Sequence, residues 1–332
     1  MTLLVSILIP AYNAEKWISE TIKSALEQTW PRKEIIIVDD GSTDNTLKAA
    51  KQFESKIVKV ITQENRGASA ARNKALSFAQ GDYIQWLDAD DLLSPDKIEQ
   101  QLKSIDIDKN AKVLLSSAFG EFYFRKNKAK FIPTSLWQDL EPIEWMLRKF
   151  SENIWMNPAT WLISRRLTEL AGPWDERLSL DDDGEYFCRV VAASEKIKFV
   201  PDAKVYYRQC NISSISKSTS DNACRSLFLS HSLCINYLLR LENSERTRTA
   251  SLKLLQIWFI YFYPEKKDLL NQINKLTHKL GGQLMPPKLS WKYSLIQKIF
   301  GWESAKKFRY SSRKAKSLFL INWDRFLYKL SI

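Results

Sequence analysis

Residues 5–13 read VSILIPAYN and residues 35–44 read IIIVDDGSTD, so two β-branched runs each pass directly into polar residues. Short apolar runs bounded by turn residues are typical of buried strands in a parallel sheet. Between them, from Asn13 to Gln28, apolar residues recur at helical spacing. This order predicts a strand, a helix and a second strand, which is the first unit of an α/β fold.

The same alternation continues along the first third of the chain. We predict a third strand over Ile57 to Ile61, a helix over Ala68 to Ala79 and a fourth strand over Tyr83 to Leu87. Such a series folds through right-handed crossovers into a mostly parallel sheet flanked by helices. Ligands bind such sheets outside the carboxyl ends of the strands. The polar residues that follow the strands are therefore the candidate site.

The remaining two thirds divide into a mixed part and a helical part. Residues 106–215 mix predicted strands with helices, and the pattern is wholly helical from about residue 220. Gly281-Gly282 and Met285-Pro286-Pro287 then break the pattern. We predict an α/β catalytic domain over 1–215, a helical extension over 216–285 and an amphipathic tail over 286–332.

The net charge of +12 is concentrated in that tail. Residues 286–332 carry eleven Lys and Arg against Glu303 and Asp324, so nine of the twelve net charges lie there. The four cysteines form no CxxC pair, which favours free thiols in a reducing compartment. No apolar run reaches the roughly 18 residues that a membrane span needs, and residues 1–9 lack a signal-peptide pattern. We expect a cytoplasmic protein.

The strongest chemical signal is the run Asp88-Ala89-Asp90-Asp91 at the end of the fourth predicted strand. Carboxylates suit a hard cation such as Mg²⁺ or Mn²⁺, and magnesium sites use one or two of them together with substrate phosphates. The run therefore indicates a metal and a diphosphate ligand. Taken alone, it is equally compatible with a solvated turn that caps the next helix.

Each of three further polar runs, taken alone, is likewise compatible with either a ligand site or an ordinary turn or helix end. Asp39-Asp40 can accept hydrogen bonds from a base or ribose, or cap a helix. The run from Asn65 to Asn73 includes Gly67 and Arg72, which suit close approach to phosphate or a surface helix. In Leu180–Glu185 four acids repel one another and raise some pKa values, as suits a general base, or they sit at a solvated helix N-terminus.

Taken in chain order, residues 5–13, 37–44, 65–73 and 81–91 together resemble glycosyltransferase family 2, and the resemblance extends from residue 5 to about 208. The resemblance implies a GT-A fold whose nucleotide-sugar half is about 1–105 and whose acceptor half is about 106–215. It implies Asp90 as the ligand of Mn²⁺ or Mg²⁺. It also implies that the donor nucleotide is bound by Pro10, Tyr12, Asn13, Asp40, Arg72 and Asp88.

The resemblance further implies an inverting transfer from a nucleotide-diphospho-sugar, favouring a UDP-sugar, to an acceptor hydroxyl of a glycan or lipid-linked molecule. The family's Glu-Asp pair corresponds here to Asp182-Asp183, and we take Asp183 as the base, although three consecutive acids leave the position open by one residue. The His that many members carry after Tyr207-Arg208 is missing. Aromatic and polar side chains that we expect to contact the acceptor are Trp155, Asn157, Trp161 and Trp174.

The tail interleaves aromatic residues with Lys and Arg, which suits a helix on an anionic membrane surface. An ordinary helix packed on the catalytic domain is the alternative. No nucleic-acid motif accompanies the charge, so we expect no nucleic-acid partner. Two other functions stay open: a degenerate nucleotide-sugar binding protein, and a nucleotidyltransferase, although residues 10–13 lack the glycine-rich phosphate loop usual in that class.

Overall fold

The predicted parallel sheet is confirmed by the computed structural model, which describes residues 3–106, 111–210 and 220–330. All seven residues of the first strand are buried, which explains its unbroken apolar run. In chain order the strands are β1 (Val5–Ala11), β2 (Lys33–Asp39), β3 (Val58–Thr62), β4 (Tyr83–Trp86), β5 (Leu92–Leu93), β6 (Val113–Phe122), β7 (Lys130–Phe131), β8 (Ile163–Ser164) and β9 (Lys196–Arg208).

The main sheet has the order β3-β2-β1-β4-β8, in which the first four strands are parallel and β8 runs antiparallel to β4. A second sheet has the order β5-β9-β6-β7, with a parallel β6–β9 pair at its centre. Since β1 lies between β2 and β4, the carboxyl ends of these three strands meet at one edge. That edge is where the sequence predicts a ligand.

Helices cover the sheets and form the C-terminal third. They are α1 (Ile18–Leu26), α2 (Thr46–Lys51), α3 (Ala68–Phe78), α4 (Lys97–Lys103), α5 (Pro142–Glu152), α6 (Arg165–Ala171), α7 (Asp182–Ala193), α8 (Asp221–Leu241), α9 (Glu245–Trp258), α10 (Lys267–Lys279) and α11 (Trp291–Leu330). Buried residues of α8 and α9, among them Ile235 and Leu254, join the same apolar core as β1 and α7. The helical extension therefore packs into the core of the α/β part.

Helix α11 bends at Gly301, whose φ of 81° lies in the left-handed region. Beyond the bend it contacts the rest of the molecule through buried Ala305 and Ile321 and through an ion pair between Lys306 and Glu265 (2.6 Å). Most of its large apolar side chains are nevertheless exposed, including Phe300 at 68%. Within the residues that the structure describes, no helix combines the length and apolarity that crossing a bilayer requires.

Candidate active site

A cavity of about 1010 Å³ opens at the carboxyl ends of β1, β2 and β4, and we name it the strand-end cavity. It lies where the sequence predicts a ligand, because parallel strands bring their carboxyl ends to one edge. The residues predicted to bind donor or metal all line it: Pro10, Tyr12, Asn13, Asp40, Arg72, Asp88 and Asp90.

Asp40 holds the loop that leads into α3. Its buried carboxylate accepts hydrogen bonds from the backbone N–H groups of Arg66 (2.9 Å) and Gly67 (2.8 Å) and from Nε2 of Gln63 (2.7 Å). Both oxygens are thus used within the protein, although each retains acceptor capacity toward a ligand. The preceding turn approaches the same loop closely, since a Cβ on Gly41 would lie 2.8 Å from the backbone nitrogen of Asn65.

Asn13 fixes the turn that follows β1. Its φ of 49° is left-handed, its Oδ1 accepts from the N–H of Thr43 (2.9 Å), and its own N–H donates to Oγ of Ser42 (3.0 Å). These contacts tie the end of β1 to the turn after β2. Next to it, Tyr12 is 49% exposed in the cavity and offers a ring face for stacking on a planar group.

Two buried polar residues, Asp91 and Arg208, fix the loop that follows β4. Asp91 is fully buried, and its carboxylate accepts from Nδ2 of Asn157 (2.8 Å) and from the N–H of Arg208 (2.9 Å). The Nε–H of Arg208 donates to the carbonyl of Asp90 (2.9 Å), while its guanidinium lies over the ring of Trp17 at 4.3 Å. Asp91 is therefore a structural residue that aims Asp88 and Asp90 into the cavity.

The acids of this loop lie close enough together to affect each other's pKa values. Burial and the carboxylate of Asp88 raise the pKa of Asp90 to about 6, against the opposing effect of Arg208. Among the described residues no three His, Cys, Asp or Glu side chains form a metal cluster. The pair Asp88 and Asp90 fits instead a cation of the magnesium type, which takes one or two carboxylates and completes its shell with phosphate oxygens and water.

Arg72 on α3 links this loop to the acidic turn at the start of α7. Its guanidinium donates to Asp88 (2.9 Å) and to Asp182 (2.6 Å) and lies over the ring of Trp174 at 4.3 Å. Burial acts to lower the pKa of Arg72, but the carboxylates of Asp182, Asp88 and Asp183 outweigh it and raise the pKa above its ordinary value. Arg72 is thus a permanently charged bridge between two parts of the site.

The three acids of the turn have different partners. Asp181, at a left-handed φ of 60°, accepts from Oγ of Ser230 (2.6 Å), and Asp182 accepts from Arg72. A Cβ on Gly184 would lie 2.2 Å from Oδ1 of Asp181, so a larger residue there would displace the Asp181 carboxylate. Within the described part of the chain, the one hydrogen bond that the Asp183 carboxylate accepts comes from the N–H of Gly184 (2.9 Å).

Asp183 has the pKa of a base that works near neutrality. Burial, followed by repulsion from Asp182 and Asp181, raises its pKa to about 7, while Arg72 and Lys149 oppose the shift. A carboxylate with a pKa near ambient pH both releases and accepts a proton readily. Of the three acids, Asp183 combines this pKa with the fewest internal partners.

Asp183 lines a second cavity, of about 440 Å³, which we name the helical cavity because α5, α8 and α9 form much of its wall. Trp155, which we expect to contact the acceptor, lines it and is 39% exposed. Three further residues that the sequence does not point to also line it, namely Lys149, His231 and Trp258. No motif marks them, since each lies on a helix with an ordinary amphipathic pattern. Burial lowers the pKa of His231 to about 4, so this imidazole is neutral at pH 7.

Asn157, Trp161 and Trp174, which we expect to contact the acceptor, are all engaged in contacts within the protein. Asn157 is 1% exposed and bonds to Asp91, and Trp174 is 2% exposed with its ring stacked on Tyr186 at 4.0 Å. Trp161 is fully buried beneath the helical cavity. Their aromatic and polar character serves packing, which sequence alone does not distinguish from sugar binding.

The chain is similar in sequence to known glycosyltransferases. The sequence model of glycosyl transferase family 2 matches residues 6–166. Glycosyltransferase GlyG of Streptococcus pneumoniae is 31% identical over 223 residues, which cover 63% of this chain and 72% of that protein. The UDP-Glc:alpha-D-GlcNAc-diphosphoundecaprenol beta-1,3-glucosyltransferase WfgD of Escherichia coli is 44% identical over 100 residues, covering 30% of this chain and 40% of that protein.

The matched segments cover between 40% and 72% of the lengths of four such curated relatives. Among solved structures, residues 1–349 of Staphylococcus aureus TarS in complex with UDP-GlcNAc have a TM-score of 0.68 and 18% identity. That likeness covers 94% of this chain and 92% of that chain. The fold, including its helical C-terminal region, is therefore shared with TarS.

Proposed function

Because the chain belongs to glycosyltransferase family 2, we propose that it transfers a sugar from a nucleotide-diphospho-sugar to an acceptor hydroxyl. One observation carries the proposal: the acidic turn at the start of α7 lines one cavity and bonds to Arg72, which lines the other. Asp182 bonds to Arg72 in the strand-end cavity, whereas Asp183 lines the helical cavity. A donor in the first cavity and an acceptor in the second would meet beside Asp183.

A uridine diphosphate sugar is the donor that we propose. The strand-end cavity offers the ring of Tyr12 for the base and the carboxylate of Asp40 for the ribose or base. Support comes from TarS, whose structure contains UDP-GlcNAc, and from WfgD, which by its name uses UDP-Glc. Both are relatives in sequence or fold, so the choice of uridine is a proposal for this chain.

In the proposed reaction, Asp183 removes the proton of the acceptor hydroxyl while that oxygen attacks the anomeric carbon. The bond from this carbon to the diphosphate oxygen breaks on the opposite face, which inverts the anomeric centre. Asp182 holds Arg72 in place, and the guanidinium faces the negative charge that grows on the leaving nucleoside diphosphate. Trp155 would pack on a ring face of the acceptor.

Asp90, assisted by Asp88, would hold Mn²⁺ or Mg²⁺. Such a cation, when bound, neutralises charge on the diphosphate. Its fit rests on the position of Asp88 and Asp90, which both line the strand-end cavity, because neighbouring carboxylates that repel each other gain from a nearby positive charge. The acceptor that we propose is a glycan or lipid-linked sugar of a cell-envelope polysaccharide, as the name of WfgD suggests for that relative.

A nucleotide panel tests the donor site. We expect UDP, among UDP, GDP, CDP and dTDP, to raise the melting temperature by about 5 °C with Mn²⁺, since a saturating ligand stabilises the fold by about 3 kcal/mol. The shift should disappear with a chelator or in the Asp90→Ala variant. A folded protein that responds to none of the four nucleotides would contradict the proposal.

We also propose that the reaction takes place in the cytoplasm and that helix α11 contacts the inner membrane face. Lys and Arg accompany exposed apolar side chains along this helix, which suits anionic headgroups. The most exposed of these side chains are Trp291 (72%), Ile299 (71%), Leu330 (69%), Phe300 (68%) and Phe319 (68%).

We therefore expect the protein to float with phosphatidylglycerol vesicles and to sediment away from phosphatidylcholine vesicles. Changing Ile299 and Phe300 together to Ser should reduce recovery with the anionic vesicles severalfold, because two exposed anchors are lost. The Ser pair should leave UDP binding unchanged, since neither residue lines the strand-end cavity. Equal recovery of wild type and variant, or none of either, would rule out this membrane contact.

A further inference from the structure

The last turns of α11 lie at the strand-end cavity, more than 200 residues along the chain from the lining residues that follow β1, β2 and β4. Ile321, Arg325, Tyr328 and Lys329 line this cavity together with residues of β1 and α3. The basic tail, which the sequence suggests as a surface element, therefore contributes directly to the candidate donor site.

A mostly buried carboxylate anchors this helix end. Oδ2 of Asp324 accepts hydrogen bonds from the backbone N–H groups of Phe124 (2.9 Å) and Arg125 (3.3 Å). Its Oδ1 accepts a hydrogen bond from Nε–H of Arg125 (2.8 Å). Its side chain is only 13% exposed. The ring of Phe124 lies 6.1 Å from that of Tyr328, and Ile321 is buried beside them. Several contacts thus set which face of the helix meets the cavity.

That face carries cations without acidic partners. Within the described residues, neither Arg325 nor Lys329 forms an ion pair, although earlier on the same helix Lys306 pairs with Glu265 and Lys307 with Glu303. The one acidic residue near the helix end, Asp324, is already bound to Arg125. Two positive charges therefore remain available beside the cavity.

The charges inside the cavity leave a diphosphate in need of such partners. Arg72 is committed to Asp88 and Asp182, and a nucleoside diphosphate would bring further negative charge close to these acids. We propose that Arg325 and Lys329 bind the diphosphate of the donor, so that the C-terminal helix completes the donor site. This inference rests on the proposed function. Cation–phosphate hydrogen bonds of this kind are among the stronger ones in proteins.

Isothermal titration of the full chain with UDP and with UMP, both at saturating Mn²⁺, tests the proposal. Changing Arg325 and Lys329 together to Ala should weaken UDP binding by about tenfold or more, because two charge-assisted contacts are lost. The affinity for UMP, which lacks the second phosphate, should fall markedly less in this variant. Asp324→Ala should weaken UDP binding as well, since it releases the helix end, and a thermal melt checks that this variant is folded.

The matched control changes Lys314 and Lys316 to Ala, which removes the same charge from exposed positions of α11 outside the cavity. We expect its UDP affinity to stay within about twofold of wild type, since distant exposed charges are screened by salt. Equal losses in the control and the test variant, or equal losses for UDP and UMP, overturn the inference. Failure of the wild type itself to bind UDP counts against the proposed function instead.

Discussion

Changing Asp183 to Asn is expected to lower the rate of sugar transfer by about 10²- to 10⁴-fold, the usual contribution of a general base. The amide keeps the size of the carboxylate but cannot take the proton of the acceptor hydroxyl. UDP binding should persist, because Asp183 lines the helical cavity and not the strand-end cavity. Release of labelled UDP from the sugar donor in the presence of acceptor measures the rate.

Asp181→Asn is the matched control for this substitution. Asp181 lies in the same turn, two residues before Asp183, and its carboxylate accepts a hydrogen bond from Ser230. We expect a much smaller loss of rate there, of an indirect kind. If Asp181→Asn abolished transfer while Asp183→Asn retained most of it, the base would be Asp181 and not Asp183. If neither variant lost rate, the chain would not use this turn as a base.

The same assignment fixes the pH dependence. Because the pKa of Asp183 is raised to about 7, the carboxylate is mostly protonated below that pH and cannot act as a base. We expect the acid limb of kcat to fall as pH drops through about 7 in wild type and to vanish in the residual activity of Asp183→Asn.

The second large effect is expected from Arg72→Leu. Removing one partner from a buried ion-pair group leaves Asp88 and Asp182 facing each other without a cation. We expect a loss of about 3 kcal/mol in the free energy of unfolding, the lower end for a broken buried pair, because both acids retain some contact with water. Transfer should fall as well, since the leaving diphosphate loses a donor.

Arg66→Leu is the control for that variant, from the loop directly before α3. Arg66 forms an exposed ion pair with Glu176 at 3.0 Å and is 65% exposed, so we expect a change of about 1 kcal/mol or less. Urea unfolding curves of the two variants give the comparison. Equal stabilities of Arg72→Leu and Arg66→Leu would mean that the bridge contributes nothing beyond a surface pair.

The sequence predicts the first half of the fold well, because its strands are buried on both faces and end in polar turns. The predicted strand over residues 34–38 lies inside Lys33–Asp39, and the predicted helix from Ala68 begins at that residue in the structure. The convergence of Asp40, Asp88 and Asp90 on one cavity follows from parallel strands alone. The positions of these residues could therefore be predicted without coordinates.

What the sequence did not reveal depends on contacts between distant segments. From the sequence we expect Trp174 to contact a sugar, but in the structure its ring stacks on Tyr186 and is buried. His231 and Lys149 reach the helical cavity only because α8 and α5 pack beside the acidic turn. The positions of Arg325 and Lys329 depend on Asp324 meeting Arg125 across about 200 residues. Short-range sequence patterns do not indicate such contacts between distant residues.

The central claim, a nucleotide donor bound at the strand ends beside a cation on Asp90, is tested most directly by a crystal structure grown with UDP and Mn²⁺. We predict the uracil against Tyr12, the diphosphate between Arg72 and the end of α11, and an anomalous manganese signal at Asp90. UDP bound at another surface, or manganese bound away from Asp88 and Asp90, would contradict the account.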